Sequence, residues 1–283
     1  MRDVVEYDEV GPWSEIKLDI IREYATAYSQ IMNAQEWAKY IYIDAFAGAG
    51  KHKSKTTKEF IKGSPTNALY VTPKFNEYYF IDINKIKVES LKQIAGKRDD
   101  VFIFEGDCNQ IILDIIYPII KKDRRVRALC ILDPYGLHLD WRVIENAGVM
   151  NAVDIFINFP IMDINMNVGK RDRTKVLESQ IIRMNNFWGD DSWQSVMWSA
   201  EGSLFEEIES KAKNDELAEA FRARLKTVAG FGNVPKPIEM RSNTNSTLYY
   251  LFFASPKDVA GKIVRDIFRK YSSPQATCRP NPK

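Results

Sequence analysis

The chain has 283 residues, 45% of them apolar and 28% charged, with a net charge of +2. That suits one sizeable α/β domain with an insertion, or two small domains, and gives no global case for a polyanion binder. Its first residues, MRDVVEYDEVGPW, lack the apolar core of a signal peptide, and no run approaches the ~20 apolar residues of a membrane span. Cys108, Cys130 and Cys278 are far apart with no CxxC spacing, against a disulfide framework or a zinc site. The expectation is a cytoplasmic protein with reduced thiols, no membrane association and no metal.

In chain order, Glu15 to Met32 reads as an amphipathic helix, with Ile16, Ile20, Ile21, Tyr24, Ala27 and Tyr28 on one side. β-rich runs follow at 40–46, 78–82, 101–105, 128–133 and 153–159. They are continuously apolar rather than alternating, which suits strands covered on both faces. Helical patterns fill the gaps at 85–95, 109–121 and 141–150, with Asn84 and Asp140 placed to cap the first and third. After a helical stretch over 203–228, the runs 237–241 and 247–253 are joined by Ser242, Asn243, Thr244 and Asn245, which fits an antiparallel hairpin. The predicted fold is α/β: a Rossmann-like, doubly wound, mainly parallel seven-stranded sheet of class I methyltransferase type, with an antiparallel C-terminal hairpin and a helical insertion. Three parts are expected: a core over 1–160 with its N-terminal helix, a helical insertion or lid over 161–235, and strands and a helix over 236–283 that complete the core.

Ligands of doubly wound sheets bind beyond the carboxyl ends of the strands, and here those ends are acidic or polar one after another. The first run offers Asp44 and the turn Phe46-Ala-Gly48-Ala-Gly50; glycines there allow positive φ and a close approach to a ligand. The second ends in Asp82-Ile83, an acid placed to accept from both hydroxyls of a ribose. The third runs into Asp107-Cys108, where a carboxylate can accept from the exocyclic amine of adenine. The fourth ends in Asp133-Pro134-Tyr135. Each element alone has a bland alternative, a turn or a helix cap; their joint order points to a nucleoside ligand. No third glycine follows Gly50 at dinucleotide spacing, and Gly50-Lys-His is not a P-loop ending. S-adenosylmethionine (SAM) needs no phosphate cradle, and Asp44 suits its ammonium or sulfonium. Asp133-Pro134-Tyr135 is similar to the (Asp/Asn/Ser)-Pro-Pro-aromatic signature of amino-group methyltransferases, but lacks the second proline. In that signature a carboxylate and a proline carbonyl accept from the target amine while the aromatic ring stacks on the extruded base.

Ile43 to Gly50, Gly63-Ser-Pro65, Asp133 to Trp141, Ile157-Asn158-Phe-Pro160 and Tyr249 to Ser255 together resemble the three-Cys-motif partner protein family. The resemblance spans nearly the whole chain and implies a methyltransferase-like fold, a SAM site and a separate partner bearing the three-cysteine motif.

Around the expected pocket, the run 51–62 is lysine-rich. It reads as a solvated loop, yet it leaves the sheet beside the methyl donor, so Lys51 and Lys53 are candidates for a polyanionic substrate. His138, Asn158 and Arg171 are further acceptor-side candidates, although capping or packing explains His138 equally well. Arg124-Arg-Val-Arg127 precedes a strand and should point away from the site. Trp188, Trp193 and Trp198 read better as a small hydrophobic subdomain than as a base-stacking face. Lys17 is a candidate for pairing with the SAM carboxylate, against the alternative of a surface lysine. The expected function is methyl transfer from SAM to an amino nitrogen of a nucleic acid or nucleotide, with Asp133, Pro134 and Tyr135 catalytic. Lys17, Asp44, Phe46, Gly48, Gly50, Asp82, Ile83, Asp107 and Cys108 would hold the donor. The alternative is a non-catalytic subunit of the same fold that docks the three-cysteine-motif protein.

Overall fold

Apolar runs that lack alternation must be covered on both faces, and the sheet obeys this. In the computed structural model, which describes residues 7–170, 172–198, 206–242 and 244–272, ten strands form. They are β1 (Glu9–Val10), β2 (Lys39–Asp44), β3 (Lys51–Ser54), β4 (Phe60–Lys62), β5 (Glu77–Asp82), β6 (Val101–Glu105), β7 (Val126–Leu132), β8 (Val153–Phe159), β9 (Ile238–Arg241) and β10 (Thr247–Ala254). Seven of them make one sheet in the order β6-β5-β2-β7-β8-β10-β9. The first five are mutually parallel, while β10 runs antiparallel to both β8 and β9. Both the crossover pattern and the terminal hairpin are as expected from the sequence.

Alternate residues of each strand feed opposite layers. Ile41, Ile43, Cys130, Ile155, Ile157 and Phe159 face one core, which takes in Trp188, Trp193, Phe187 and Phe221. Tyr40, Tyr42, Tyr78, Phe80, Leu129 and Phe156 face the other. That second layer is covered by α1 (Pro12–Asn33), α2 (Ser64–Leu69) and α3 (Lys85–Ala95), together with the C-terminal helix. On the first lie α4 (Cys108–Ile111), α5 (Tyr117–Lys122), α6 (Trp141–Met150), α7 (Ile161–Asn167), α8 (Glu178–Trp188), α9 (Trp193–Met197) and α10 (Glu206–Thr227). The C-terminal helix is α11 (Asp258–Ser272). Among the described residues no helix is long and apolar enough to cross a membrane.

Local chemistry sets several boundaries. Helix α1 begins earlier than its periodicity suggests because Pro12, with its fixed φ and missing N–H, suits the first helical turn. Asn84 and Asp140 cap α3 and α6 as expected, each accepting from backbone amides of the first turn. The single helix expected over 109–121 is interrupted: α4 passes through a π-helical turn, Ile112–Ile116, into α5. Pro118 supplies the reason, since it has no N–H to donate back along the helix. Packing of α6 onto the loop after α10 requires Gly148, where a Cβ would lie 1.8 Å from the Ala229 carbonyl oxygen.

The expected loop over 51–62 is instead a hairpin, β3 against β4. Strand β1 pairs parallel with β3, giving a separate three-stranded sheet. Alternation in Lys51-His-Lys-Ser54 is the strand signal; its lysines occupy the wet side, so the run looked merely solvated. Trp188 and Trp193 are buried in the core and the ring of Trp198 packs edge-on against Trp193 at 5.1 Å, so these tryptophans are core rather than a stacking surface.

Candidate active site

Strand β2 is flanked by β5 and β7 and carries Asp44 at its carboxyl end. The chain then turns under restraint: Ala45 N donates to Ile131 O at 3.0 Å and Ala47 N to Ile81 O at 2.9 Å. Gly48 and Gly50 adopt φ of +64° and +76°, the left-handed region that glycine enters without penalty. Thr66 Oγ1 donates to Gly50 O (2.5 Å) and Ser90 Oγ to Ala49 O (3.0 Å), fixing the turn to α2 and α3. Beside it, Phe46 is half-buried against the first core.

Asp44 itself is fully buried, and neither carboxylate oxygen has a hydrogen-bond partner. Burial pushes its carboxyl up to about 7; Asp133 adds to the rise, while Ser64, the Phe46 backbone and Lys17 partly offset it. An isolated buried carboxylate is among the costliest groups a fold can keep.

Asp82, buried at the end of β5, accepts from Gly48 N through Oδ2 and from Asn84 N through Oδ1, both at 2.8 Å. It thus braces the glycine turn and starts the loop that exposes Ile83, 77% accessible. Asp107 is exposed and caps α4 through Oδ1, which accepts from Asn109 N at 2.9 Å. Cys108 is buried, with its thiol pushed up to about 12 by burial and then by the Asp107 charge.

At the end of β7, Asp133 forms an ion pair with Lys17 of α1 through Oδ2 and accepts from Asn158 Nδ2 at 2.8 Å through Oδ1. Lys17 is therefore not a surface lysine: it is 9% exposed and stands 5.2 Å from the Tyr249 ring centroid. Burial draws its pKa down, but the facing Asp133 carboxylate outweighs that, and the net shift is upward. Pro134 is buried and Tyr135 is 63% exposed. The Tyr135 hydroxyl donates to Asp8 Oδ2 (3.0 Å), which also accepts from Lys87 Nζ (2.7 Å). Asn158 leaves its own Oδ1 buried and unpartnered.

The structure thus converges Lys17, Asp44, Gly48, Gly50, Asp82, Asp133 and Asn158 on one end of the sheet. Lys51 and Lys53 lie on the adjoining hairpin, Lys51 exposed and Lys53 half-buried. His138 is exposed, and its carbonyl accepts from Asn109 Nδ2 at 3.0 Å. Arg171 lies outside the described residues, as does Cys278. Arg127 stacks on Trp37 at 4.7 Å and, one residue into β7, sits at the opposite end of the sheet from the pocket.

Sequence reasoning missed His52, Ser64, Asp8 and Lys87. His52 is half-buried with an unpartnered Nδ1, and burial lowers its pKa, with the charges of Asp8, Lys17, Asp133 and Lys87 acting on it in turn. Its place on the inward side of β3 was legible only from the alternation in Lys-His-Lys-Ser. Asp8 had no sequence signal, since its partner Tyr135 is 127 positions away.

A mainly parallel sheet closed by an antiparallel hairpin, with the pocket at the carboxyl end of its central strand, is the class I methyltransferase fold. No family model matches the chain, and no curated protein matches it. Among solved structures it is similar to protein LPL1258 of Legionella pneumophila str. Philadelphia 1, of family DUF519. That likeness has 11% identity and a TM-score of 0.52, over 91% of this chain and 93% of that one. It is also similar, at 9% identity and a TM-score of 0.32, to M. jannaschii TYW2 in complex with AdoMet, over 82% of this chain and 74% of that one. A third is a SAM-dependent methyltransferase from Thiobacillus denitrificans in complex with S-adenosyl-L-homocysteine, at 14% identity and a TM-score of 0.30, over 81% and 89% of the two chains.

Proposed function

We propose that the chain is a SAM-dependent methyltransferase acting on an amino nitrogen of a nucleic acid or nucleotide. The observation that carries this reading is Asp44, a fully buried carboxylate with no partner, beside a left-handed glycine turn. A ligand ammonium supplies the partner that the protein withholds. Bound in this pocket, SAM would supply an electrophilic methyl group.

The remaining roles follow from the residues in place. Gly48 keeps the floor open, the nearest atom to a Cβ built there being His52 Cε1 at 3.9 Å. Asp82 retains lone pairs for ribose hydroxyls, the exposed Ile83 offers an apolar face to adenine, and Asp107 has an uncommitted Oδ2 for its amine. A donor carboxylate competes with Asp133 for Lys17; once Lys17 shifts, Asp133 Oδ2 is free to accept from the target amine. The Pro134 carbonyl is the second acceptor, which fixes the direction of the nitrogen lone pair, and Tyr135 offers its ring to the base. Asn158 holds Asp133 in orientation. Positioning of this kind accounts for most of the acceleration expected of such a site.

Membership of the three-Cys-motif partner family belongs to the same reading, supported by the Asp133 to Trp141 string around the acceptor turn. A separate three-cysteine-motif protein would then be a partner. One observation favours a second reading, in which the chain is a non-catalytic docking subunit: Lys17 and Asn158 together occupy both oxygens of Asp133.

Radiolabelled methyl transfer from SAM into DNA, RNA and protein pools, with wild type and Asp133→Ala compared, separates the two. Label in a nucleic-acid pool that Asp133→Ala abolishes is the expected result. No label above background removes the catalytic reading, and equal label for both proteins removes Asp133 from the acceptor site. Calorimetry checks the donor site by itself, and the absence of heat at millimolar SAM would sink it.

A further inference from the structure

The hairpin β3–β4 has two faces of different chemistry. Residues opposite each other in an antiparallel pair share a face, and the register is Lys51↔Lys62, His52↔Ile61 and Lys53↔Phe60. Lys51, Lys53, Phe60 and Lys62 therefore lie on one face, with His52, Ser54 and Ile61 on the other. The second face is turned inward: Ser54 is fully buried and His52 half-buried. The first is wet, yet it carries Phe60 at 61% exposure.

Aromatic rings continue on both sides of it. Tyr7 packs edge-on against Phe60 with centroids 5.0 Å apart, and Lys62 Nζ stands 3.7 Å from the centroid of Tyr70, which is 70% exposed. Lys51, Lys55, Lys58 and Lys62 have no acidic partner among the described residues, while Lys53 reaches Glu9 at 3.5 Å. The result is an alternation of exposed rings and uncompensated ammonium groups on a chain whose net charge is only +2.

We propose that this outer face is a landing platform for single-stranded nucleic acid. Its lysines would take the phosphates, and Phe60 and Tyr70 would stack on unpaired bases. Stacking of this kind tolerates any sequence, because every base has a π-face, and it selects against a duplex, whose base faces are already covered. The proposal rests on the methyltransferase reading for the strand's destination, and the geometry supplies a route. The hairpin leaves and rejoins the donor turn, with Gly63 N donating to Gly50 O at 2.9 Å. At the other edge, Asp8 O accepts from Lys53 N at 3.0 Å while the Asp8 carboxylate holds the Tyr135 hydroxyl. A strand lying across the platform therefore meets the acceptor turn at Tyr135.

Fluorescence anisotropy of the full chain tests this, using labelled RNA and DNA single strands of about 12 nucleotides, a size within the range of known single-strand sites. The same sequence as a duplex and a polyglutamate competitor complete the set. Single strands should bind in preference to duplex. Phe60→Ala and Tyr70→Ala should each weaken binding roughly tenfold with an unchanged salt slope, as expected for a lost stacking contact. Lys55→Ala and Lys62→Ala should each reduce the salt slope by about 0.7, the single-strand value for one phosphate contact. Equal affinity for duplex, or indifference to both aromatic variants, overturns the platform, as does displacement by polyglutamate as effective as by oligonucleotide. SAM calorimetry on the same four variants keeps the two readings apart. Weakened oligonucleotide binding with SAM heat retained is the expected result. Unchanged oligonucleotide binding with SAM heat retained sinks the platform alone, and oligonucleotide binding by a wild-type chain that gives no SAM heat sinks only the donor site.

Discussion

Two buried aspartates sit at opposite ends of the same sheet, and their surroundings differ in kind. Asp154, near the amino end of β8, accepts from Tyr24 Oη and Ser255 Oγ, both at 2.6 Å. Asp44, at the carboxyl end of β2, has no partner in hydrogen-bonding geometry, although Ser64 and the Phe46 amide lie near enough to hold down its rise in pKa. Burial raises both, Asp154 to about 6 and Asp44 to about 7. For Asp154 the two hydroxyls moderate the rise, and they tie α1, β8 and the start of the α11 segment into one unit. The first carboxylate stabilises the fold, while the second costs stability in the ligand-free chain, which marks the end of the sheet where a ligand is due.

Removal of either carboxylate breaks the comparison if the two behave alike. Asp154→Ala should destabilise by about 2–5 kcal/mol in urea unfolding, since Tyr24 and Ser255 would be left buried without an acceptor. A loss below about 1 kcal/mol would show that the triad is incidental. By contrast, Asp44→Asn should leave the stability of the free chain unchanged or raise it. Its effect should fall on SAM affinity by calorimetry, with a loss of about 1.5–3 kcal/mol, the range for a hydrogen bond to a charged group. A destabilised variant with full affinity would reverse the assignment.

Titration sharpens the contrast. A folded pKa above the ordinary carboxylate value of 3.8 means that the folded chain binds the extra proton. Stability from each group is then full below that value and is lost as pH rises through the folded pKa. The decline should extend to about pH 6 for Asp154 and about pH 7 for Asp44. Asp44→Asn should abolish the part between pH 6 and 7 and roughly halve the slope between about pH 4 and 6, leaving the share that belongs to Asp154. Affinity for SAM should fall as pH drops through 7, because the protonated carboxyl no longer attracts a cation. A pH-independent affinity between pH 6 and 8 would contradict this.

The smallest effect is expected at Lys17→Met. The Asp133 side chain is 31% exposed, so water can rehydrate the carboxylate left behind. Chemical denaturation should show a loss of about 1 kcal/mol or less, in keeping with ion pairs open to solvent.

Much of this frame was legible locally. The limits of β6, β8, α3 and α6 follow from apolar runs and from the caps Asn84 and Asp140, signals that act within a few residues. The joint order of Asp44, Gly48, Gly50, Asp82, Asp107 and Asp133 places them at strand ends by local pattern alone. What the order could not say is which of these acids is already engaged. Asp82 braces Gly48, Asp133 is held by Lys17 from 116 positions away, and Asp44 alone is left bare.

The sequence by itself determined the strand and helix succession, the glycine turn and the acids beyond it, because apolar periodicity and capping are short-range and additive. Only the tertiary structure decided the pairing of β1 with β3 and the latch from Asp8 to Tyr135. Those depend on pairing between segments tens to more than a hundred residues apart, where loop closure opposes contact and the local pattern of lysines resembles any solvated loop. The state of each buried carboxylate belongs to the same category, since it is set by what other segments bring to it.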